Sequence, residues 1–165
     1  MEKKKIYLET TLFNYYYDTE NPDFRNDTIE LFKACAEGRF EPYTSSYVTD
    51  ELEAAPREKY VKMINLTKQY NITIYASSDE ADDLAEWYIF KGALPKRSLT
   101  DASHIAAASV NKLDTIASLN FRHIVRRKTN ELINEINTSF GYSTIEINSP
   151  KEALDYEKYR RSRLG

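Results

Sequence analysis

Short runs of apolar and β-branched residues alternate along this chain with longer stretches whose apolar positions recur at helical spacing. Lys5 to Leu8 reads as a strand that stops at Glu9, Thr10 and Thr11, ahead of an aromatic stretch from Leu12 to Tyr17. Asn26, Asp27 and Thr28 precede a helical pattern closed by Gly38, and Phe40 to Tyr43 is a second short strand. Thr49 to Ala55 reads as a helix start, and Pro56 breaks it or begins the next helix, which runs to about Tyr70. Ile72 to Ala76 supplies a third strand. Ser77 with Glu80 forms a capping box for a helix that Gly92 ends, its apolar face carrying Leu84, Trp87 and Tyr88. Thr100 is a good N-cap for a helix through Asn111, whose small residues permit close packing on a sheet. Thr115 to Leu119 is the fourth strand, Thr129 to Phe140 a helix ended by Gly141, and Ser143 to Ile147 the last strand. Ser149, Pro150 and Glu152 supply an N-cap, an N1 proline and a capping partner for a terminal helix over 149–163. Five strands alternating with helices predict an α/β domain with a parallel, helix-covered sheet and right-handed crossovers.

Composition narrows this picture. At 165 residues the chain is expected to form one domain, 1–165, and 41% apolar residues with four Gly and five Pro argue against disorder or linkers. The single cysteine, Cys35, sits in a helical apolar pattern, where a buried thiol in a reducing, cytoplasmic setting is the expectation. Neither a signal-peptide pattern nor a run approaching the ~18 apolar residues of a membrane span is present, so no membrane partner is expected. The net charge of −3 weighs against a large nonspecific nucleic-acid surface, although Arg122, Arg126, Arg127 and Lys128 cluster locally. Solvated helix faces are the preferred account of that cluster taken alone.

In an open parallel sheet, functional groups gather beyond the carboxyl ends of the strands. Glu9 ends the first strand, Glu51 opens the helix after the second, and Asp101 is the first helical residue before the fourth strand, which predicts that the three acids share one edge. A carboxylate closing an apolar strand costs several kcal/mol, roughly, if buried unpaired, and a bound cation removes that penalty. Acids in a first helical turn have another account, since the helix dipole favours them by about 0.3–1 kcal/mol. Three acids from remote positions nonetheless match the oxygen donors that hard divalent cations require. The sequence has no GxxxxGK[ST], GxGxxG or GxSxG pattern, and one Cys with His104 and His123 makes no zinc site or Cys-His pair. His104 is expected to be packed or hydrogen-bonded, and His123 to fix the loop after the fourth strand.

Taken together, Tyr7-Leu8-Glu9-Thr10-Thr11, Thr49-Asp50-Glu51-Leu52 with Ala55-Pro56, Leu94-Pro95, Ser98 through Ala106 around Asp101, and Ser118-Leu119-Asn120-Phe121-Arg122-His123-Ile124 resemble the PIN-domain family, in the same order, over about residues 4–154. VapC-like toxins are the nearest group. The resemblance implies a three-layer α/β/α sandwich with a mostly parallel five-stranded sheet, and Mg²⁺- or Mn²⁺-dependent endoribonuclease activity. It places Glu9, Glu51, Asp101 and Asn120 at the catalytic positions, with the metal on Glu9 and Asp101; Arg122, Arg126 and Arg127 are candidates to hold RNA, and Thr10 to bond a carboxylate or the phosphate or, equally, to serve the strand-end turn. Glu9 departs from the usual Asp by one methylene, and Leu119 replaces a frequent Trp.

The same resemblance implies a toxin with a small antitoxin protein as partner, or a housekeeping nuclease without one, and a homodimer. A catalytically weakened RNA-binding protein is the alternative, with Glu9 as its sign. The aromatic surplus of thirteen Tyr and seven Phe fits a dimer interface; Tyr15 to Tyr17 fit equally a roof on the core or a stacking platform for bases.

Overall fold

The computed structural model describes residues 2–120 and 124–164. Five strands, β1 (Lys4–Leu8), β2 (Phe40–Ser45), β3 (Thr73–Tyr75), β4 (Thr115–Ala117) and β5 (Glu146–Asn148), form one all-parallel sheet in the order β3-β2-β1-β4-β5. Among the described residues, eight α-helices accompany them: α1 (Thr10–Tyr15), α2 (Pro22–Ala36), α3 (Ser46–Leu52), α4 (Arg57–Gln69), α5 (Asp79–Phe90), α6 (Leu99–Val110), α7 (Arg127–Ser139) and α8 (Pro150–Leu164). Helices α1, α2, α4 and α8 pack in one group and α5, α6 and α7 in another, giving the three-layer α/β/α sandwich that the sequence implies. The central strand β1 is covered on both faces, so Ile6, Tyr7 and Leu8 are all fully buried and its sequence shows no alternation.

Chain order places the site. From β1 the chain steps outward through β2 to β3, then crosses to β4 and β5 on the other side of β1. The carboxyl ends of β1 and β4, which pair from Ile6↔Thr115 to Leu8↔Ala117, are therefore the topological switch point, where a parallel sheet is expected to open a crevice. The small residues Ala102 and Ala106 are fully buried in α6, which lies against β2 and β4 and brings its first turn to that crevice.

Several helix starts differ from the sequence reading, for one recurring reason. Helix α2 begins at Pro22 after Asn21, and Thr28, which resembles a cap, lies mid-helix with its hydroxyl donating to Phe24 O at 2.7 Å. Helix α3 likewise follows β2 directly, and Thr49 donates to Ser46 O at 3.3 Å within it. Glu51 consequently sits in the last turn of α3, where the helix dipole disfavours an acid, and the dipole account of that residue falls away. Ser78 rather than Ser77 caps α5, accepting from Ala81 N at 3.1 Å, and a 3-10 turn at Lys96–Ser98 starts α6 at Leu99, making Asp101 its third residue. The capping box of α8 is as expected, with Ser149 N donating to Glu152 Oε1 at 3.0 Å and Glu152 N to Ser149 Oγ at 3.1 Å. Trp87 is 40% exposed and packs against Phe90 and Phe140 on the outer surface instead of facing the core. Tyr15, Tyr16 and Tyr17 pack on the core, with Tyr16 edge-on to Phe32 and its hydroxyl 2.6 Å from that of Tyr70, which favours the roof.

The α5, α6 and α7 layer is fastened by a buried polar triad. Tyr88 donates to Asn137 Oδ1, and Asn137 Nδ2 donates to Ser109 Oγ at 2.9 Å. Truncating Asn137 leaves two buried hydroxyl groups short of partners. Asn137→Ala is expected to lower stability by about 2–3 kcal/mol in urea unfolding, whereas a loss under about 0.5 kcal/mol would show that the triad carries no weight.

Candidate active site

Glu9 is 3% exposed and stands where β1 ends, its backbone extended and its carboxylate capping α1 by accepting Thr11 N at 3.0 Å. The same oxygen, Oε1, accepts the hydroxyls of Thr11 and of Ser118, the latter at 2.9 Å. Each hydroxyl also accepts an amide from the segment after β4: Leu119 N reaches Thr11 Oγ1 at 2.9 Å, and Asn120 N reaches Ser118 Oγ at 2.9 Å. The two sides of the crevice are thus tied together through one carboxylate. Burial pushes the Glu9 pKa above the ordinary carboxylate value, opposed in part by the field of His104 and by the bonds from Thr11 and Ser118. The compensation that the sequence reading assigned to a cation is therefore supplied in part by the protein itself.

Glu51 reaches the crevice from the end of α3. Its Oε1 accepts Thr10 Oγ1 at 2.8 Å and pairs closely with His104 Nε2. His104 is fully buried on α6, and its Nδ1 lies 2.8 Å from the hydroxyl of Tyr7, which itself lies 2.6 Å from Ser45 Oγ. The chain is satisfied in either protonation state. A neutral imidazole donates from Nε2 and accepts Tyr7 at Nδ1; an imidazolium donates at both, with Tyr7 donating on to Ser45. Burial opposes charge on His104, but the bond to Glu51 and the fields of Glu9, Glu51 and Asp101 outweigh it and raise its pKa above the usual imidazole value. For Glu51, burial acts upward, while the hydrogen bond and charge of His104 and the bond from Thr10 prevail and lower its pKa.

Asp101, in the first turn of α6, accepts Asn120 Nδ2 at its Oδ1 at 3.1 Å. Through Asn120 N and Ser118 Oγ this carboxylate is linked to Glu9. The structure thus brings Glu9, Glu51, Asp101, Asn120 and Thr10 to one edge, around His104. Asp114 lies at the opposite edge, as expected, accepting Lys5 N at 2.7 Å. Arg127 points away, 94% exposed and paired with Glu131 at 3.1 Å, whereas Arg126 is the N-cap residue of α7. Arg122 and His123 fall outside the described residues.

Thr11, Ser118, Tyr7 and Ser45 carry the site's hydrogen bonds and were not singled out from sequence, where a hydroxyl gives no signal of its partner. His104 was legible as a hydrogen-bonded residue, and its place three after Asp101 puts it on the same helical face. Among the described residues, no three His, Cys, Asp or Glu side chains form a group that could hold a metal. The oxygen donor set still suits a hard cation, because Mg²⁺ binds through one or two carboxylates and keeps its waters, and Glu9 Oε2 accepts no hydrogen bond among the described residues.

The pKa directions set a pH window. His104, raised, contributes stability that is full below its unfolded value of 6.5 and lost as pH rises through its higher folded value. Glu51, lowered, contributes stability that is present above its unfolded value of 4.5 and lost as pH falls through its lower folded value. In chelator, the stability difference between the protein and His104→Gln is expected to reach about 1–2 kcal/mol between those limits, since Glu51 is half solvated, and to shrink on both sides. A difference flat from pH 4 to 9 in denaturant titrations would remove the charged pair.

No family model matches this chain, and no curated protein does.

Proposed function

We propose that this chain is a divalent-metal-dependent endoribonuclease that hydrolyses RNA phosphodiester bonds, as the resemblance to PIN domains and VapC-like toxins implies. The observation that supports the reading is that Glu9, Glu51 and Asp101 gather at one sheet edge, Glu51 paired with the buried His104 and Glu9 linked to Asp101 through Ser118 and Asn120. Carboxylates from three separate segments repel one another. Gathering them at one edge favours positive charge beside them, which supports the reading.

In this reading Glu9 and Asp101 hold Mg²⁺ or Mn²⁺, which when bound polarises the phosphoryl oxygen and lowers the pKa of water. Glu51, held by Thr10 and His104 with its ionised form favoured, orients the attacking water by accepting its proton in a hydrogen bond. His104 fixes the direction of that carboxylate, and Tyr7 fixes His104, so that neither need reorganise during the reaction. Asn120 holds Asp101 in place through its amide.

Single-stranded RNA is expected to be cleaved in Mn²⁺, with cleavage abolished by chelator and reduced about 100-fold or more in Asp101→Ala, whose fold is retained. Cleavage that persists in chelator or in that variant would sink the metal-nuclease reading. One observation favours a second reading: Glu9 is almost wholly buried and its single accepting oxygen is engaged by three donors, which disfavours its exchange onto a metal. RNA binding without cleavage, unchanged in Asp101→Ala, would establish that weakened, RNA-binding form instead.

A further inference from the structure

A cavity of about 430 Å³ opens between the turn that leaves α5, the 3-10 turn at Lys96–Ser98 and the start of α7. Gly92, Pro95, Arg97, Arg126, Lys128 and Thr129 line it. Three of these are cations, and no acid lines the cavity among the described residues. Among the described residues some helix cations pair with a carboxylate within one turn, as Lys33 does with Glu30, Arg127 with Glu131, Lys151 with Asp155 and Arg161 with Glu157. Arg97, Arg126 and Lys128 have no ion-pair partner among the described residues. Three like charges around a shared concavity repel one another, and an anion inside it relieves that repulsion. The start of α7 adds to the same field, since its first turn contains no acid and Arg126 provides no side-chain cap for its amides.

The cavity's walls identify the anion. Arg97 precedes Asp101 by four residues, about one helical turn or ~6 Å of rise, and Arg126 follows Asn120 by six. Asp101 and Asn120 are hydrogen-bonded to each other, so the two segments that build the cavity are the two that close the carboxylate site. A guanidinium matches the oxygens of phosphate two at a time, and a strand laid across the carboxylates carries its next phosphates along this wall. The cavity at the opposite sheet edge is also rich in cations, with Lys3, Lys4, Lys5, Lys112 and Arg160, but mixes them with Glu2 and Asp114, and the one beside Trp87 and Phe90 is bordered by Asp83 and Glu86.

We propose that the cavity lined by Arg97, Arg126 and Lys128 is a phosphate-binding subsite, taking either an internal phosphodiester or the terminal phosphate of a strand whose neighbouring bond lies at Asp101. The affinity for phosphate stands without the nuclease reading; the assignment of that phosphate to an RNA strand rests on it.

The test is a binding titration of the full chain in chelator, using short single-stranded oligoribonucleotides with a 5′-hydroxyl or a 5′-phosphate, and inorganic phosphate as competitor. Arg97→Ala and Lys128→Ala are each expected to weaken binding about 5- to 10-fold and to reduce the salt slope by about 0.7, while Lys33→Ala, which removes an equal charge from α2, changes it less than about 2-fold. Inorganic phosphate should displace the oligonucleotide and shift the amide resonances of Lys128 to Asn130. Equal affinity for the two ends assigns the subsite to an internal phosphodiester, and tighter binding of the 5′-phosphate assigns it to the terminus. Three results overturn the proposal: Arg97→Ala and Lys128→Ala behaving as Lys33→Ala, phosphate shifting amides elsewhere only, or an acidic peptide displacing the oligonucleotide where phosphate does not. Circular dichroism of the variants, whose altered side chains are exposed, separates a lost contact from a lost fold. Failure here with Mn²⁺-dependent cleavage intact removes the subsite alone, and absent cleavage with phosphate binding intact removes the nuclease alone.

Discussion

A carboxylate withdrawn from water at the end of the central strand organises this molecule. Leaving Glu9 buried without partners would cost several kcal/mol, roughly, and the local structure is arranged around offsetting that cost. Thr11 and Ser118 donate to it from opposite sides of the crevice, and because each hydroxyl also accepts an amide from the segment after β4, the strand end, the first helix and the β4 loop form one hydrogen-bonded unit. Asn120, and with it Asp101, is placed as a consequence. The chemistry-bearing groups are therefore held by elements of the sheet rather than by loops of independent conformation.

His104 is the counterpart of that arrangement. A fully buried imidazole ordinarily stays neutral, yet carboxylates on separate elements act on this one, and Tyr7 and Glu51 occupy both of its nitrogens. The site thus contains its own partial counter-charge. If a divalent ion binds here as proposed, it would compete with that charge for the same carboxylates, and its affinity would follow the protonation of His104.

Much of the fold could be read in the amino-acid order, since β-branched runs such as Ile72 to Tyr75 and helix stops such as Gly92 and Gly141 depend on local chemistry alone. Helix starts were less legible. Thr28 and Thr49 have the side chains of caps but turn their hydroxyls back onto the preceding helical turn, a choice made by the packing of α2 and α3 and invisible locally. The site divided in the same way. Glu9, Asp101 and Asn120 stand out by position at element ends, whereas the Glu51–His104 pair joins residues 53 apart, and Ser118 meets Glu9 across 109. Such contacts follow from strand order, and strand order is set by the whole chain.

The placement of glycine has a consequence for how the molecule meets a ligand. Gly38, Gly92 and Gly141, with φ of +79°, +81° and +86°, all serve to stop helices, and the junctions bearing Glu9, Glu51 and Asn120 contain none. The walls of the crevice lack the most pliant backbone positions, and their hydroxyl and amide bonds brace them further. A ligand bound here as proposed would meet a preformed contour and be selected by its own shape and charge, with little scope for the protein to mould itself afterwards.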